Sequence, residues 1–184
     1  TGAASVSEVL FRKLALLART DETFVTDFRA IEVEEVAFGA GERMIAADEA
    51  YNAVYLVEAG WVIRARHLPD GARQIVSVAL SGDFIGLNAL MFDTADFDHV
   101  CRTPVTALRF VPAVLRGALD RHPAVGRALF WVTAQEETIL AERVVSLGRR
   151  PAAARAAHAI AELLARVEML AEERVDTLAV PLTQ

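Results

Sequence analysis

The run "AVYLVEAGWVIRARHLPDGARQIVSVALSGDFIGL", residues 53–87, decides the fold. "VYLVEA" and "WVIRAR" are strand-type runs parted by Gly60. "LPDGAR" at 68–73 is a hairpin signal, because Asp-Gly supplies the positive φ values that a tight turn needs. Working outward, "EEVAFGAGERMI" at 34–45 and "VTALRFV" at 105–111 have the same character. Short strands at regular spacing with glycine at the corners imply a β-sandwich or barrel. The expectation is a jelly-roll barrel over 31–112.

The flanks are helical, so the fold class is α+β. Before the barrel, 1–30 form an N-terminal helical segment. Val9, Leu10, Leu14, Leu16 and Leu17 make an apolar face and leave Arg12, Lys13 and Arg19 for solvent. A second helix is expected over 21–30. After Pro112, residues 113–148 hold a short helix ended by Pro123 and a long one over 124–147, roughly 37 Å at ~1.5 Å per residue. The long helix carries two apolar stripes. One is Val125, Leu129, Val132 and Ile139; the other is Phe130, Trp131, Leu140, Val144 and Leu147. A helix on the rim of one domain needs a single stripe. One stripe is therefore expected to pack on the barrel and the other to meet a second copy, and the first is assigned to the homodimer interface. Gly148 stops this helix, and Pro151 opens an alanine-rich one with Ala156, Ile160, Leu163, Leu164 and Val167 inward. The last residues, "LTQ", read as a helix start with Thr183 as N-cap, so the chain reads as incomplete.

Composition narrows the function. No apolar run among the 184 residues approaches the roughly 18–20 needed to cross a bilayer, and no signal peptide is visible. One cysteine, Cys101, forbids an internal disulfide and fits a reducing compartment. A soluble, cytoplasmic protein without membrane contact is expected. The net charge of −6 argues against a nucleic-acid surface spread over the whole chain, though not against a local basic patch or a DNA-binding segment outside it.

Taken in order, Gly41 and Ile45, "VYLVEAGWV" at 54–62, "DGARQIVSVALSGDFIG" at 70–86, "SLGRRPAAARAAHAIAELL" at 146–164 and "PLTQ" at 181–184 resemble the cyclic AMP receptor protein and FNR family of bacterial transcription regulators. The resemblance covers nearly the whole chain. It implies a cyclic-nucleotide-binding-like sensor barrel, a long helix that forms a parallel homodimer, and a winged helix-turn-helix that reads DNA. Only the beginning of that last domain, 149–184, would be present, so most DNA contacts would lie beyond residue 184. Thr183, Gln184, Arg149 and Arg150 are the residues nearest to DNA or RNA polymerase on this reading.

The same resemblance exposes a difference in the pocket. Members that bind cyclic AMP keep a glutamate after "GDFIG" for the ribose and an Arg-Ser pair further on for the phosphate. Here Leu87 replaces the glutamate, and the Arg-Ser place falls within Asp96, Phe97 and Asp98. Leu140 and Ala141 stand where those members offer a Thr-Ser pair to the adenine. Burying a phosphate without a cationic partner costs several kcal/mol. A carboxylate about 4 Å away adds roughly 4 kcal/mol at an effective dielectric near 20. Cyclic AMP bound in the usual way is therefore not expected. The pocket candidates are Phe84, Ile85, Gly86, Leu87, Asn88, Leu90, Phe92, Phe97 and Leu140, an apolar lining with one amide. It suits an uncharged or weakly polar effector of unknown identity, or a pocket filled by side chains.

No cofactor is expected. The FNR branch holds an iron–sulfur cluster on four cysteines, which one cysteine cannot do. Cys101 in "HVCRT" reads as an inert core residue. His67, His99, His122 and His158 are scattered and read as surface or capping histidines. "DTADFDH" at 93–99 reads as a solvated acidic loop, since it lacks the glycine and closing glutamate of a calcium loop. Glu136, Glu137 and Glu142 lie within helical reach of the arginines at 143–155 and could pair with them. No His-x-His pair, Gly-x-Ser-x-Gly elbow or phosphate-gripping loop points to an enzyme. The remaining alternative is a dimeric ligand-binding signalling module that does not touch DNA.

Overall fold

The computed structural model describes residues 8–17, 22–170 and 180–181. The expected N-cap Thr183, its neighbour Gln184 and Arg19, expected to face solvent, lie outside the described residues. Two helices, α1 (Glu8–Leu17) and α2 (Glu22–Arg29), precede the strands β1 (Glu34–Phe38), β2 (Arg43–Ile45), β3 (Val54–Ala59), β4 (Val62–His67), β5 (Arg73–Ala79), β6 (Phe84–Ile85), β7 (Asp98–Cys101) and β8 (Val105–Phe110). A 3-10 turn, Leu87–Leu90, sits between β6 and β7. Then follow α3 (Pro112–Arg121), α4 (Pro123–Arg149) and α5 (Ala152–Leu170).

The strands form two antiparallel four-stranded sheets, in the orders β1-β8-β3-β6 and β2-β7-β4-β5. This is the jelly roll expected from the sequence. Its hairpin at 68–73 differs in one detail: Gly71 alone takes a positive φ, 83°, while the Asp70 carboxylate accepts a hydrogen bond of 2.9 Å from the Ala72 N–H. The turn therefore needs glycine at one position and a side-chain acceptor at the other.

Strand β3 shows why "VYLV" does not alternate between apolar and polar. Tyr55 and Val57 face the opposite sheet with Val105, Ala107 and Cys101. Val54 and Leu56 face outward, onto a second core shared with α1, α2, α3 and α4. A strand covered on both faces reads as a continuous apolar run. The centre of this helical core is Phe28, whose ring lies 5.6 Å from Phe24, 5.7 Å from Phe110, 6.0 Å from Phe11 and 6.3 Å from Phe84. All but the tilted Phe24 pair are edge-on, and aromatic pairs of this kind add about 0.5–1.5 kcal/mol each beyond the area they bury.

Helix α4, 27 residues long, is divided between two environments. Val125, Leu129 and Val132 are 0%, 5% and 6% exposed and belong to the helical core around Phe28. Their assignment to a dimer interface is overturned: side chains sealed by their own chain have no area left to give a partner. Ile139, the fourth member of that stripe, is half-buried and lines a cavity. The other stripe is uncovered at Phe130, Val144 and Leu147, 76%, 68% and 64% exposed, while its Trp131 packs on the helical core and its Leu140 lines the cavity.

Helix α5 lies on the outer face of β4 and β5. Leu163 is buried there against Ile63, Ala65, Val78 and Leu80, with Val167 beside it. Of the expected inward residues, Ala156 and Ile160 are exposed and Leu164 is half-buried, because only the last turns of α5 reach the sheet.

Phe28→Ala should destabilise the chain by about 3–5 kcal/mol, the usual cost of emptying a large core site. Urea denaturation measures this directly. A loss under about 1 kcal/mol would mean that the aromatic cluster does not hold α1 and α2 to the sheet.

Candidate functional site

The first turn of the site is built by glycine. Gly86 has φ 77°, and a Cβ there would come within 2.7 Å of the Ile45 side chain and 3.0 Å of the Ala53 carbonyl oxygen. A side-chain-free residue in a left-handed conformation thus lets the chain pass from β6 into the turn that carries Leu87 and Asn88. Phe84, Ile85, Gly86, Leu87, Asn88, Phe97 and Leu140 all line one cavity of about 100 Å³. Of the other expected lining residues, Phe92 is 63% exposed and Leu90 packs into the helical core, because the chain turns outward after Leu90.

The cavity is far more polar than the sequence suggested. Lys13, Tyr51, Arg64, Asp83, His99, Glu136, Arg143 and Arg166 also contribute to its walls. Sequence reasoning missed them for two reasons. Lys13 and Arg166 come from helices distant in sequence, whose docking on the barrel no local pattern announces. Arg64 and His99 sit on strands, where period-two alternation was the available signal: Arg64 shares the inward face of Val62, and His99 that of Cys101.

Asp83 organises the closed side. Its carboxylate is ion-paired with Lys13 of α1 and with Arg166 of α5, and it accepts a 2.8 Å hydrogen bond from the Leu80 N–H. Burial alone would raise its pKa; Arg166 and then Lys13 outweigh that, and the net direction is downward. Lys13 is thus a buried partner, not the solvent-facing residue expected, and Arg12 is half-buried, donating to the Leu170 carbonyl at 3.0 Å. Arg166 also meets Glu162 at 3.3 Å, and Glu162 takes a two-pronged contact from Arg143 at 2.7 and 3.1 Å. Arg143 therefore pairs across to α5 instead of along α4, and Glu136 reaches Arg64 at 3.0 Å.

The loop 93–99 is only partly solvated. Asp93 and Asp96 are exposed, but Asp98 is 4% exposed. Asp98 accepts a 3.0 Å hydrogen bond from the Ala47 N–H and lies 3.4 Å from Arg43 and 3.6 Å from His67. Its carboxylate is thereby turned away from the cavity into a strand contact. His99 is no surface histidine. It is buried, and burial together with Arg64 pushes its pKa down to about 4. His122, by contrast, joins α3 to α4 and sits 3.0 Å from Asp27. Cys101 is fully buried, and burial, aided by Glu42, raises its thiol to about 11. At neutral pH it is a protonated thiol, the form least reactive toward oxidants. Among the described residues, no group of three or more His, Cys, Asp or Glu could hold a metal ion, and no helix is long and apolar enough to cross a membrane. Arg149 is exposed and Arg150 half-buried at the end of α4.

Asp83→Asn should cost about 3–5 kcal/mol, because it leaves Lys13 without its counter-charge and Arg166 with Glu162 alone. The sign of the pH effect follows from the lowered pKa. Stability from Asp83 is fully present above its unfolded value near 3.8 and is lost as the pH falls through the lower folded value. Melting temperatures taken from pH 7 into this acid range should therefore converge for the native chain and Asp83→Asn. Curves that stay parallel would refute the pairing.

The comparisons with known proteins agree with this architecture. Residues 35–122 match the cyclic nucleotide-binding domain family. The chain is 28% identical over 146 residues to the nitrogen fixation regulation protein FixK of Bradyrhizobium diazoefficiens, covering 79% of this chain and 60% of that one. It is 25% identical over 155 residues to the transcriptional activator protein FnrL of Cereibacter sphaeroides, covering 84% and 61%. The chain thus spans about three fifths of the length of these relatives. The structure of FixK2 from Bradyrhizobium japonicum superposes with a TM-score of 0.73 at 25% identity, covering 83% of this chain and 73% of that one. A jelly roll bounded by paired helices, this domain match and these relatives together make the chain similar to the cyclic AMP receptor protein and FNR (Crp/Fnr) regulators.

Proposed function

We propose that the chain is the sensing and dimerising part of a cytoplasmic, homodimeric transcription regulator that binds DNA through a segment following residue 184. The observation that carries this reading is the uncovered side of α4. Phe130, Thr133, Glu137, Leu140, Val144 and Leu147 are spaced alternately three and four residues apart, the heptad pattern of a two-helix seam. Its most apolar members are exposed, while the opposite side of the same helix is sealed in the core. A second copy of α4, packed in parallel, supplies the missing cover.

The same helix brings Leu140 and Arg143 to the cavity wall, so cavity and seam share one rigid element. A change in what fills the cavity would then alter how the two α4 helices meet. That in turn sets the spacing of two DNA-reading units on a palindromic site. The names of FixK and FnrL, a regulation protein and a transcriptional activator, support this reading. Cyclic AMP does not suit the cavity. Leu87, Leu140 and Ala141 offer its sugar and base no polar side chain, and Arg64, Arg143 and Arg166 are each already joined to a carboxylate. Arg149, exposed at the end of α4, is left for phosphate or RNA polymerase contact.

Val144→Arg with Leu147→Arg should convert the protein to monomers in sedimentation while leaving the melting temperature nearly unchanged, since both sites are exposed. Val132→Arg should instead unfold it. A persistent dimer in the double variant would overturn the seam. Fluorescence anisotropy with the protein's own promoter, at fixed salt, should show specific binding by the full-length dimer that cyclic AMP does not alter. Absence of specific binding would favour the signalling module that does not touch DNA.

A further inference from the structure

Arg64 of β4 and His99 of β7 are direct partners in the antiparallel register. Side chains at such positions start about 4.5–5.5 Å apart on one face of a sheet. That face is the inner one, and both residues reach the cavity described above. Each carries one buried nitrogen with no hydrogen-bonding partner among the described residues: Nε of Arg64 and Nδ1 of His99. Buried polar atoms are paired in the great majority of cases, so two orphans side by side on a cavity wall point to something that occupies it.

The chemistry of the two atoms differs. Arg64 is fixed by Glu136 at 3.0 Å on Nη1 and by the Phe97 ring 5.3 Å from its guanidinium carbon, which leaves Nε–H as a donor. His99 is neutral at physiological pH, with a pKa near 4, so its ring carries a single proton. With that proton on Nε2, the unpartnered Nδ1 is an acceptor. The wall thus presents a donor next to an acceptor. A carbonyl oxygen and an adjacent N–H on one ligand edge would satisfy both, which is what a primary carboxamide offers.

Charge and size narrow the ligand further. Beside the two orphan nitrogens the charge is balanced, because Glu136 offsets Arg64, while Lys13, Arg143 and Arg166 share Asp83 and Glu162 on the far side of the cavity. The cavity of about 100 Å³ is smaller than the ~150 Å³ that admits benzene and far below the ~300–1,000 Å³ of drug-sized sites. Resting on the reading of this cavity as the sensory pocket, we propose that Arg64 and His99 form a subsite for a small, neutral primary carboxamide.

The test uses propionamide as the probe and the full-length protein. Two-bond ¹H–¹⁵N spectra report the His99 ring nitrogens directly. Propionamide should move the Nδ1 resonance saturably, whereas N,N-dimethylpropionamide, which has no N–H, and propionate, which adds charge, should bind at least tenfold more weakly. His99→Phe should lose the rise in melting temperature that propionamide gives. The spectra come from the unaltered chain, so the result does not depend on that variant folding. No saturable shift with propionamide, an equal shift with the dimethyl amide, or undiminished binding by His99→Phe would each overturn the subsite. The promoter titration is independent of this one. Propionamide binding without DNA binding would sink the regulator reading alone, and DNA binding without propionamide binding would sink the subsite alone.

Discussion

A partly buried carboxylate holds this structure together at the point where its parts would otherwise separate. Asp83 lies in the short turn between β5 and β6, and removing a carboxylate from water costs several kcal/mol unless cations and N–H donors surround it. Here the cations come from far away in sequence, Lys13 on α1 and Arg166 on α5, while the Leu80 N–H three residues back adds a local donor. The ion pairs continue from Arg166 to Glu162 and on to Arg143, so alternating charges connect α1, the barrel, α5 and α4. None of these helices could shift without exposing a charge to an apolar surrounding or leaving Asp83 unpaired.

The cavity is a consequence of that chain of pairs. The two sheets need apolar side chains to fill the space between them, and they have these where Tyr55, Val57, Val62 and Val105 meet. Toward the other end of the barrel the inward positions are Arg64 and His99, which cannot close against an apolar face. Helices α4 and α5 cover this end with side chains already committed to one another. What remains is a small polar-walled space, shut on one side by the Asp83 cluster and bordered by Leu140 of the long helix. The cavity and the exposed stripe of α4 thus meet at Leu140 on one rigid element, which makes coupling between them mechanically simple.

Much of the fold was legible because it rests on local chemistry. Gly60, Gly71 and Gly86 mark turns through backbone freedom, Pro112 and Pro123 open helices, and strand-length apolar runs separate them. The seven pocket residues from Phe84 to Leu140 were legible too, but through the family resemblance, which located a loop and a helix position. The two stripes of α4 were visible as well. Which stripe faced its own barrel was not, because both are apolar and helical periodicity carries no label for the neighbour. Val125, Leu129 and Val132 found the aromatic cluster around Phe28; Phe130, Val144 and Leu147 did not.

By itself, then, the sequence determined the elements, their order and the jelly-roll class. All of these follow from residue type and spacing along the chain. Tertiary structure alone decided which charges are buried together: that Lys13 leaves solvent for Asp83, that Asp98 turns away to Arg43, and that Arg64 and His99 stand side by side with a nitrogen each to spare. The reason is that an ion pair is set by distance in space. Its worth depends on how far water is excluded around it, and neither quantity is written in the spacing of residues along the chain.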